Sequence, residues 1–598
     1  MRVADYIADF LYKNGIRHLF SVTGGGAMHL NDALGNHPGL TVIYNHHEQA
    51  SAMAAEAYAR LSGRMAAACV TSGPGGTNAI TGVFGAYTDS VPMLIVSGQV
   101  KREMLTATHE GLTLRQLGDQ ECNVTKMVEG ITKYAVTVTV ADDVAYHLEK
   151  ALHLATAGRG GPVWLDIPVD VQGAQIKPSQ LRHFDPKSEN FAPVSPCFRK
   201  TASEILSRIR AARAPLLLVG TGVRLSGAVP KLEALTERLG IPVAVAWNAN
   251  DAVPTDCPYF VGMPGTVGTR SGNFALQNCD LLLSLGCRLN VRMVGYNRGD
   301  FAKNAYKIVV DVDENELNKP TVTIDMPVCA DVSALLDALL EAPFEKEARH
   351  APWLAWCRHL AKEHPVALPE YKKGDNGPLN PYTFLDFLFS RLAQRDRIVC
   401  SNGSACVMTL QAAKIKKGQR IFTNSGCAAM GYGLPAAIGA ATAESHARIV
   451  CMEGDGSIMM NLQELATVAH NHLNIKVILL NNGGYHSIRQ TQRNFFEGRF
   501  VGLGPESGVG FPDFARVAEA FGLDYFRIER ESELLRLTTV LSGSAPCIIE
   551  VVVDQNQDFA PKCSAKRGED GRLYSPSLDD MAPFLPRAEY AATRYQKP

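Results

Sequence analysis

The sequence predicts an α/β fold of three domains, each with a mainly parallel β-sheet flanked by helices. The chain has 598 residues, too many for one hydrophobic core, since a domain usually holds about 100–200 residues. Helical patterns alternate with short apolar runs, for example within 215–222, 280–288 and 308–313. Continuous apolar runs with glycine at their ends are typical of strands that are buried on both faces of a parallel sheet.

The alternation divides the chain into an N-terminal domain over 1–172, a central domain over 195–345 and a third domain over 375–555. A polar stretch over 172–199 carries four prolines, which block regular helix or strand, so we expect a linker there. The tail over 556–598 is rich in glycine, proline and charge. We expect it to be an ordered loop that covers an active site rather than a further domain.

Composition excludes several classes of function. The formal net charge is −1 without a block of like charge, so neither a nucleic-acid partner nor a membrane partner is expected. The 14 cysteines are scattered without a CxxC pair, which predicts reduced thiols rather than a zinc site or disulfides. No apolar run reaches the ~18 residues of a membrane span, and Asp5 and Asp9 argue against a signal peptide. We therefore expect a soluble, cytoplasmic protein.

The strongest chemical signal lies between two apolar strand patterns, 448–452 and 475–480, which are joined by a helix predicted over 459–468. A right-handed crossover makes these strands parallel, so Asp455 and Asn482 reach the same sheet edge, where α/β sheets bind ligands. Carboxylate, amide and backbone oxygens suit Mg²⁺ or Ca²⁺, and backbone N–H groups at the start of a helix favour a phosphate. The alternative is an ordinary βαβ unit whose Gly-Asp-Gly is only a tight turn.

Gly-Asp-Gly-Ser over 454–457, followed by Asn-Asn at 481–482, resembles the metal–diphosphate motif of the thiamine-diphosphate-dependent enzymes. The resemblance implies thiamine diphosphate and Mg²⁺ as cofactors. It implies Asp455 and Asn482 as side-chain metal ligands, with the Gly484 backbone carbonyl as the third. It also assigns three residues of the turn to cofactor binding: Gly454, Gly456 and Ser457.

The N-terminal domain carries a glutamate where a strand meets an alanine-rich helix. Glu48 could be a first-turn acid that the helix dipole favours. Together with the segments 70–78 and 89–99, however, it resembles the N-terminal pattern of the same family. The resemblance implies that Glu48 is the cofactor-activating glutamate, whose carboxyl group shares a proton with the aminopyrimidine ring.

Overall, the chain most resembles the acetolactate synthases of that family. Their matching stretch to 115–121 has Phe before Gln-Glu, whereas this chain has Asp119. The resemblance carries Gln120 over as an active-site residue. Asp119 indicates a substrate pocket that differs from the usual pocket for two pyruvates. The alternative is that Asp119 is a solvated acid in a loop.

The third domain supplies further candidates. Gly403 and Ser404 follow its first strand and are assigned to cofactor binding by the resemblance. Met430 matches the apolar residue that wedges the cofactor into its bent shape, although a Met is otherwise most often a core residue. His486, just past the metal turn, is a candidate for contacting substrate or shuttling protons. The alternative for His486 is a surface histidine.

The central domain resembles the flavin-binding version found in acetolactate synthases. The residues that carry the likeness are the turn over 262–265, Arg288 after Leu-Gly, and the strand end over 311–313. The resemblance implies FAD, with Arg288 as a cofactor-binding residue. Other relatives leave this domain empty or use it for another nucleotide, so these alternatives stay open.

The resemblance implies decarboxylation of a 2-oxo acid, pyruvate first, and carboligation of the acyl unit to a carbonyl acceptor. Segment 484–492 resembles homologues associated with surface-sugar biosynthesis, which points to a keto-sugar nucleotide as acceptor. The alternatives are acetolactate synthase, a thiamine-diphosphate-dependent cyclic diketone hydrolase and a non-catalytic scaffold homologue. In the family, the domains that hold Glu48 and Asp455 meet across a subunit interface. We therefore expect a homodimer as the minimal unit, and a tetramer.

Overall fold

The structure is a computed structural model that describes residues 1–109, 111, 113–189, 197–568 and 571–596. Within these residues, three six-stranded parallel sheets are flanked by helices, which confirms the predicted fold class. Part of the predicted linker, including position 195 at the start of the predicted central domain, lies outside the described residues. No helix in the described ranges is long and apolar enough to cross a membrane.

The first sheet has the strand order β2-β1-β3-β4-β6-β5. Its strands are β1 (His18–Ser21), β2 (Thr41–Tyr44), β3 (Ala66–Val70), β4 (Met93–Gln99), β5 (Tyr134–Thr137) and β6 (Pro162–Pro168). Its helices are α1 (Val3–Lys13), α2 (Met28–Asn36), α3 (Glu48–Ser62), α4 (Pro74–Thr88), α5 (Val124–Val128), α6 (Val144–Thr156) and α7 (Val169–Gln172).

The second sheet has the order β12-β11-β10-β7-β8-β9. Its strands are β7 (Pro215–Val219), β8 (Val243–Val245), β9 (Phe260–Gly262), β10 (Leu281–Leu285), β11 (Tyr306–Asp311) and β12 (Met326–Cys329). Its helices are α8 (Arg199–Ala211), α9 (Gly222–Leu225), α10 (Val229–Leu239), α11 (Arg270–Asn278), α12 (Val291–Val294), α13 (Glu314–Asn318), α14 (Val332–Glu341) and α15 (Ala351–Glu363).

The third sheet has the order β14-β13-β15-β16-β18-β17. Its strands are β13 (Arg397–Cys400), β14 (Arg420–Phe422), β15 (Ile449–Gly454), β16 (Ile475–Asn481), β17 (Asp524–Ile528) and β18 (Cys547–Val552). Its helices are α16 (Pro381–Arg391), α17 (Ser404–Ala412), α18 (Gly433–Ala443), α19 (Asp455–Ile458), α20 (Glu464–His470), α21 (His486–Phe495), α22 (Phe514–Ala520) and α23 (Arg536–Ser542).

Helices α3 and α18 join the first domain to the third through small residues. A β-carbon at Gly439 of α18 would lie 2.0 Å from the Ala54 carbonyl oxygen of α3, so only glycine permits this approach. On the opposite side of α3, a β-carbon at Gly82 of α4 would lie 2.6 Å from the Ala52 β-carbon. The alanine-rich sequence of α3 therefore reflects close packing against two neighbouring helices.

A buried polar cluster holds the C-terminal half of α3. Glu56 accepts hydrogen bonds from Arg60 Nε at 2.8 Å and from the Tyr432 hydroxyl at 2.6 Å, while Arg60 also donates to Asp89 at 2.8 Å. Tyr432 immediately precedes α18 in the third domain. Because every charge in this cluster has an opposite partner, the cost of burying these groups is offset and the domains are held in register.

The tail is more structured than the predicted loop. It contains a short hairpin, β19 (Lys566–Arg567) with β20 (Leu573–Tyr574), and a helix, α24 (Arg587–Ala592). It packs mainly on the central domain, where Asn273 donates to the buried Met581 sulfur at 3.1 Å. The part that approaches α21 lies around Phe559, which contacts His486 edge-to-face at a centroid distance of 5.5 Å.

Candidate active site

Asp455 and Asn482 meet at the carboxyl edge of the third sheet. Strands β15 and β16 are parallel neighbours, and their register places Gly454 opposite Leu480. Asp455 opens α19 directly after β15, and Asn482 follows the last residue of β16. Asp455 is 2% exposed and Asn482 is 5% exposed. Two oxygen-bearing side chains are therefore buried side by side at the end of neighbouring strands.

The Asp455 carboxylate is held by backbone amides. Gly456 N donates to Oδ1 at 2.8 Å, and Gly484 N donates to Oδ2 at 2.7 Å. Burial nevertheless raises the pKa of Asp455 to about 6, because these hydrogen bonds only partly replace the lost hydration. A cation at this position would stabilise the charged carboxylate.

The Asn482 side chain leaves one buried oxygen without a partner. Its Nδ2 donates to Ser404 Oγ at 2.8 Å, but Oδ1 has no hydrogen-bond partner among the described residues. Such an oxygen costs about 1–3 kcal/mol unless a ligand binds it. Arg489 takes the backbone carbonyls of Asn482 and Gly483 at 2.8 and 2.9 Å, so this guanidinium does not use the Gly484 carbonyl.

The donor set at this edge suits a hard divalent cation. It offers one carboxylate, one amide oxygen and a backbone carbonyl, which are ligands that Mg²⁺ accepts together with phosphate oxygens and water. Within the described ranges, no group of three His, Cys, Asp or Glu side chains could hold a metal ion. A metal here therefore depends on the amide and backbone oxygens.

Steric contact explains two glycines of the site. Gly484 has φ +127°, and a β-carbon there would lie 1.9 Å from the Leu503 carbonyl oxygen. A β-carbon at Gly456 would lie 2.4 Å from the Tyr485 ring. Any side chain at either position would displace the turn that brings backbone amides onto Asp455.

The remaining cofactor-binding candidates of the third domain surround this turn. Gly403, with φ +81°, precedes Ser404 at the start of α17. Ser457 Oγ accepts from Gly431 N at 2.9 Å and lies 2.6 Å from Ser401 Oγ. Gly431 follows Met430, whose side chain is 36% exposed beside the turn rather than part of the core.

The helix predicted over 459–468 is interrupted in the structure, and that prediction is wrong for its first turn. Helix α19 ends at Ile458 and α20 begins only at Glu464. Between them, Asn461 Nδ2 donates to the Gly431 carbonyl at 2.8 Å and to Gln49 Oε1 at 3.0 Å. These distant partners compensate for the interrupted helix, and the local pattern did not reveal them.

Sequence reasoning missed Glu464, the first residue of α20. It is fully buried and accepts hydrogen bonds from Asn45 Nδ2 and His46 N, both at 2.9 Å. Thr467 Oγ1 donates to it at 2.7 Å. Since its main partners lie 418 and 419 positions earlier, no local signal could have identified it. Glu464 thus anchors the segment that precedes Glu48.

Glu48 opens α3 in the N-terminal domain and is 9% exposed. Asn78 Nδ2 donates to its Oε2 at 2.9 Å, a partner that the sequence did not reveal as functional. Gln120 lies close to the start of α4: it has φ +64°, and its carbonyl oxygen would lie 2.9 Å from a β-carbon at Gly73, which precedes that helix. The segment 73–78 therefore lies between Glu48 and Gln120.

His486 is not a surface histidine. It is the first residue of α21 and is buried beneath Phe559 of the tail. Its Nε2 lies 2.6 Å from Gln490 Nε2. Burial lowers the pKa of His486 to about 4, so the ring is neutral at neutral pH. A neutral imidazole here can donate one hydrogen bond and accept another, but it does not hold a spare proton.

Comparison with known proteins agrees with this arrangement. Residues 1–126, 202–339 and 401–551 match models of the N-terminal TPP binding domain, the central domain and the C-terminal TPP binding domain of thiamine pyrophosphate enzymes. The chain is 32% identical to the acetolactate synthase isozyme 2 large subunit of Escherichia coli, over 94% of this chain and 97% of that protein. The chain belongs to the thiamine pyrophosphate enzyme family.

Two further relatives are acetolactate synthases. The protein from Arthrospira platensis is 32% identical over 93% of this chain and 94% of its own length. The large subunit from Lactococcus lactis is 30% identical over 93% of both chains. This confirms the sequence-based interpretation: the protein is an acetolactate synthase-like enzyme that depends on thiamine diphosphate.

In this thiamine pyrophosphate enzyme, Arg288 lies apart from the turn that carries Asp455. It lines a cavity of about 510 Å³ whose walls come from all three domains. Its Nη1 donates to the Thr88 carbonyl at 2.8 Å, and its Nε lies 3.3 Å from Glu316. Arg288 therefore belongs to a second candidate site.

Replacing Asn482 by Ala tests the metal site. We expect the affinity for thiamine diphosphate in the presence of Mg²⁺ to fall at least about tenfold, the lower end of the loss seen when support around a metal is removed. Titration calorimetry measures this. Asn474→Ala is the matched control, because Asn474 also has an unpartnered side-chain oxygen but lies at the opposite end of β16. Equal affinity in the two variants would contradict the assignment.

Proposed function

We propose that this enzyme decarboxylates a 2-oxo acid, pyruvate first, and transfers the acyl unit to a carbonyl acceptor. The observation that carries the proposal is the buried, unpartnered Asn482 oxygen beside Asp455 at one sheet edge. The match of the chain to all three thiamine pyrophosphate enzyme domains supports this edge as the proposed place for a metal-bound diphosphate. The acetolactate synthase names of the relatives support the same class of reaction.

Mg²⁺ would be held by Asp455 Oδ, Asn482 Oδ1 and the Gly484 carbonyl. The diphosphate would lie against five residues around the turn: Gly403, Ser404, Gly454, Gly456 and Ser457. Met430, exposed beside this turn, offers an apolar surface to the cofactor rings. When bound, thiamine diphosphate supplies a carbon nucleophile for the 2-oxo acid carbonyl and accepts the electrons left by CO₂.

Glu48 is proposed to hold a proton at N1′ of the aminopyrimidine. The hydrogen bond from Asn78 orients its carboxyl group, and the buried Glu464 anchors the preceding segment. Gln120, on the adjoining loop, is proposed to contact the substrate. His486 is proposed to hydrogen-bond the substrate with a neutral ring, which replaces the proton-shuttle alternative.

We propose a homodimer as the minimal active unit, and a tetramer as its assembly. Within one chain, Asn461 binds Gln49, and Glu464 binds Asn45 and His46. These hydrogen bonds fasten the segment around Glu48 to residues 461–464 of the third domain of the same chain. The Glu48 carboxyl group itself turns toward Asn78 of its own domain. A second copy would then supply the diphosphate half-site that Glu48 serves.

Replacing Glu48 by Gln should slow hydrogen–deuterium exchange at C2 of enzyme-bound thiamine diphosphate by roughly 10²–10⁴-fold, because the amide cannot share the proton. Quenched-flow NMR measures this exchange. The exposed Glu129, replaced by Gln, is the control and should exchange at the rate of the unaltered enzyme. An unchanged rate in the Glu48 variant would remove Glu48 from the mechanism.

For the carbonyl acceptor of the reaction, we propose a keto-sugar nucleotide. Asp119, where acetolactate synthases carry Phe, is exposed beside Gln120 and places a charge next to the candidate substrate residue. An acid is a poor neighbour for the carboxylate of a second pyruvate, since like charges repel, whereas it can accept hydrogen bonds from the hydroxyl groups of a sugar. The second candidate is acetolactate synthase itself, which the names of the relatives favour.

An acceptor screen separates these activities. With thiamine diphosphate, Mg²⁺ and pyruvate, we expect CO₂ release and, by mass spectrometry, a ligation product with a keto-sugar nucleotide rather than acetolactate. Acetolactate as the main product would establish the second candidate. Cleavage of a cyclic 1,2-diketone without CO₂ release would instead indicate the hydrolase. Turnover of no 2-oxo acid would contradict the proposal.

The cavity that contains Arg288 is proposed to bind FAD. It lies at the carboxyl ends of β7 and β10, the point where the strand order of the second sheet reverses, which is where such sheets bind dinucleotides. A β-carbon at Gly220 would lie 2.1 Å from the Gly286 carbonyl oxygen, so the floor of the cavity is bare backbone. Arg292, stacked 5.3 Å from the Trp247 ring centroid, adds a second positive charge.

If FAD binds there, the purified protein should be yellow, with flavin absorbance bands. Replacing Arg288 by Met should lower the flavin content several-fold, because one charge that faces the cofactor diphosphate is removed. Arg298→Met, at an exposed position of the same domain, is the control and should retain its flavin. A colourless protein that takes up no added FAD would contradict this assignment.

A further inference from the structure

A lysine of the tail is connected to His486 through one side chain. Lys562 Nζ donates to Gln490 Oε1 at 2.7 Å, and Gln490 Nε2 lies 2.6 Å from His486 Nε2. His486 and Gln490 are one helical turn apart on α21 and are both buried. The three side chains form a continuous hydrogen-bonded line from the tail to the candidate substrate residue.

Lys562 is held firmly where this line begins. Its backbone N donates to the Ala582 carbonyl at 2.9 Å, and Ala582 N donates back to the Lys562 carbonyl at 2.7 Å. The next residue, Cys563, donates its N–H to the Thr266 carbonyl of the central domain at 2.7 Å. Met581, adjacent to Ala582, is fully buried. The ammonium group therefore approaches Gln490 from a fixed backbone.

The direction of each hydrogen bond follows from the chemistry of the groups. A lysine ammonium can only donate, so the Gln490 atom that faces it must be the carbonyl oxygen. The amide NH₂ then faces His486, and it can only donate as well. Nε2 of His486 must accept this hydrogen bond and carries no proton. The single ring proton is consequently on Nδ1.

We propose that Lys562 is a positioning residue that holds His486 in the tautomer with its proton on Nδ1. This inference rests on the proposed function of His486 as a hydrogen-bonding partner of the substrate. In this tautomer the ring has one N–H, at Nδ1. That atom is buried and has no partner in strict hydrogen-bond geometry among the described residues, although the Gln557 backbone carbonyl acts on the ring and raises its pKa. A carbonyl or carboxylate oxygen of a 2-oxo acid would take the place of this backbone carbonyl as the acceptor.

Without the ammonium group, the Gln490 amide can rotate by half a turn. Its oxygen would then face Nε2, the ring proton would move to Nε2, and Nδ1 would become an acceptor. A substrate oxygen opposite Nδ1 would meet a lone pair instead of a proton. Through the Gln490 amide, Lys562 thus determines which nitrogen of the His486 ring donates a hydrogen bond.

The test replaces Lys562 by Met, an unbranched side chain that is one atom shorter and lacks the donor. The state of His486 is read by solid-state NMR of enzyme labelled with ¹⁵N-histidine and loaded with thiamine diphosphate and Mg²⁺. His486→Gln identifies the signal of this ring. Lys562→Arg restores a donor, and Lys566→Met is the control, because Lys566 belongs to the same segment but pairs with Asp580.

We expect the ring proton to lie on Nδ1 in the unaltered enzyme, and to move in whole or in part to Nε2 in the Lys562→Met variant. Turnover of pyruvate should fall by about 10–100-fold in that variant, by analogy with the loss seen when the outer hydrogen-bond partner of a metal-bound histidine is removed. Lys562→Arg should recover most of both properties. Lys566→Met should resemble the unaltered enzyme, and all variants should bind thiamine diphosphate equally.

An unchanged Nδ1 proton in the Lys562→Met variant would overturn the inference. A moved proton with unchanged turnover would also overturn it, because Lys562 would then have no role in the reaction. Failure of the proposed function is a different result: the unaltered enzyme would release no CO₂ from any 2-oxo acid, while the NMR signal would still report the tautomer. The two failures are therefore distinguishable.

Discussion

The parallel pairing of β15 with β16 is the constraint on which the candidate active site depends. It brings a carboxylate and an amide, from residues 27 positions apart, to one edge and buries both. Backbone amides satisfy the carboxylate, whereas the amide oxygen of Asn482 has no partner. A fold that tolerates such an oxygen is organised for a ligand, because an empty hydrogen-bonding position in the interior is costly.

The rest of the chain supports this edge from far away in sequence. The loop between α19 and α20 binds Gln49, and Glu464 binds Asn45 and His46. The part of the third domain that follows the metal turn is therefore hydrogen-bonded to the segment around Glu48 of the same chain. The buried cluster around Arg60 fixes the other end of α3. The tail, in turn, buries His486. Four separate parts of the chain thus determine the surroundings of a few reactive groups.

The sequence predicted those features of the fold and the site that follow from local residue patterns and from the handedness of strand crossovers. Apolar runs and glycine ends predicted three parallel sheets, and the spacing from Asp455 to Asn482 predicted their common edge. The roles of Glu464, Asn78 and Lys562 could not be predicted, because their partners are distant in sequence. In addition, single polar side chains on a helix or loop produce no periodic pattern in the sequence. The same reason explains the error at 459–468, where Asn461 bonds to two other segments. Burial of His486 depends on the tail, which the local sequence of α21 does not reveal.

Helix α3 links the two candidate sites physically. It begins at Glu48 and ends with Ser62, and its C-terminal residues, from Ala59 to Ser62, form part of the wall of the cavity that contains Arg288. A helix of 15 residues is about 22 Å long, and α3 is wedged between α4 and α18 without room to bend. Helix α3 is therefore rigid, and it carries the Glu48 carboxylate at its N-terminus. The wall of the central cavity and the position of that carboxylate thus depend on one helix.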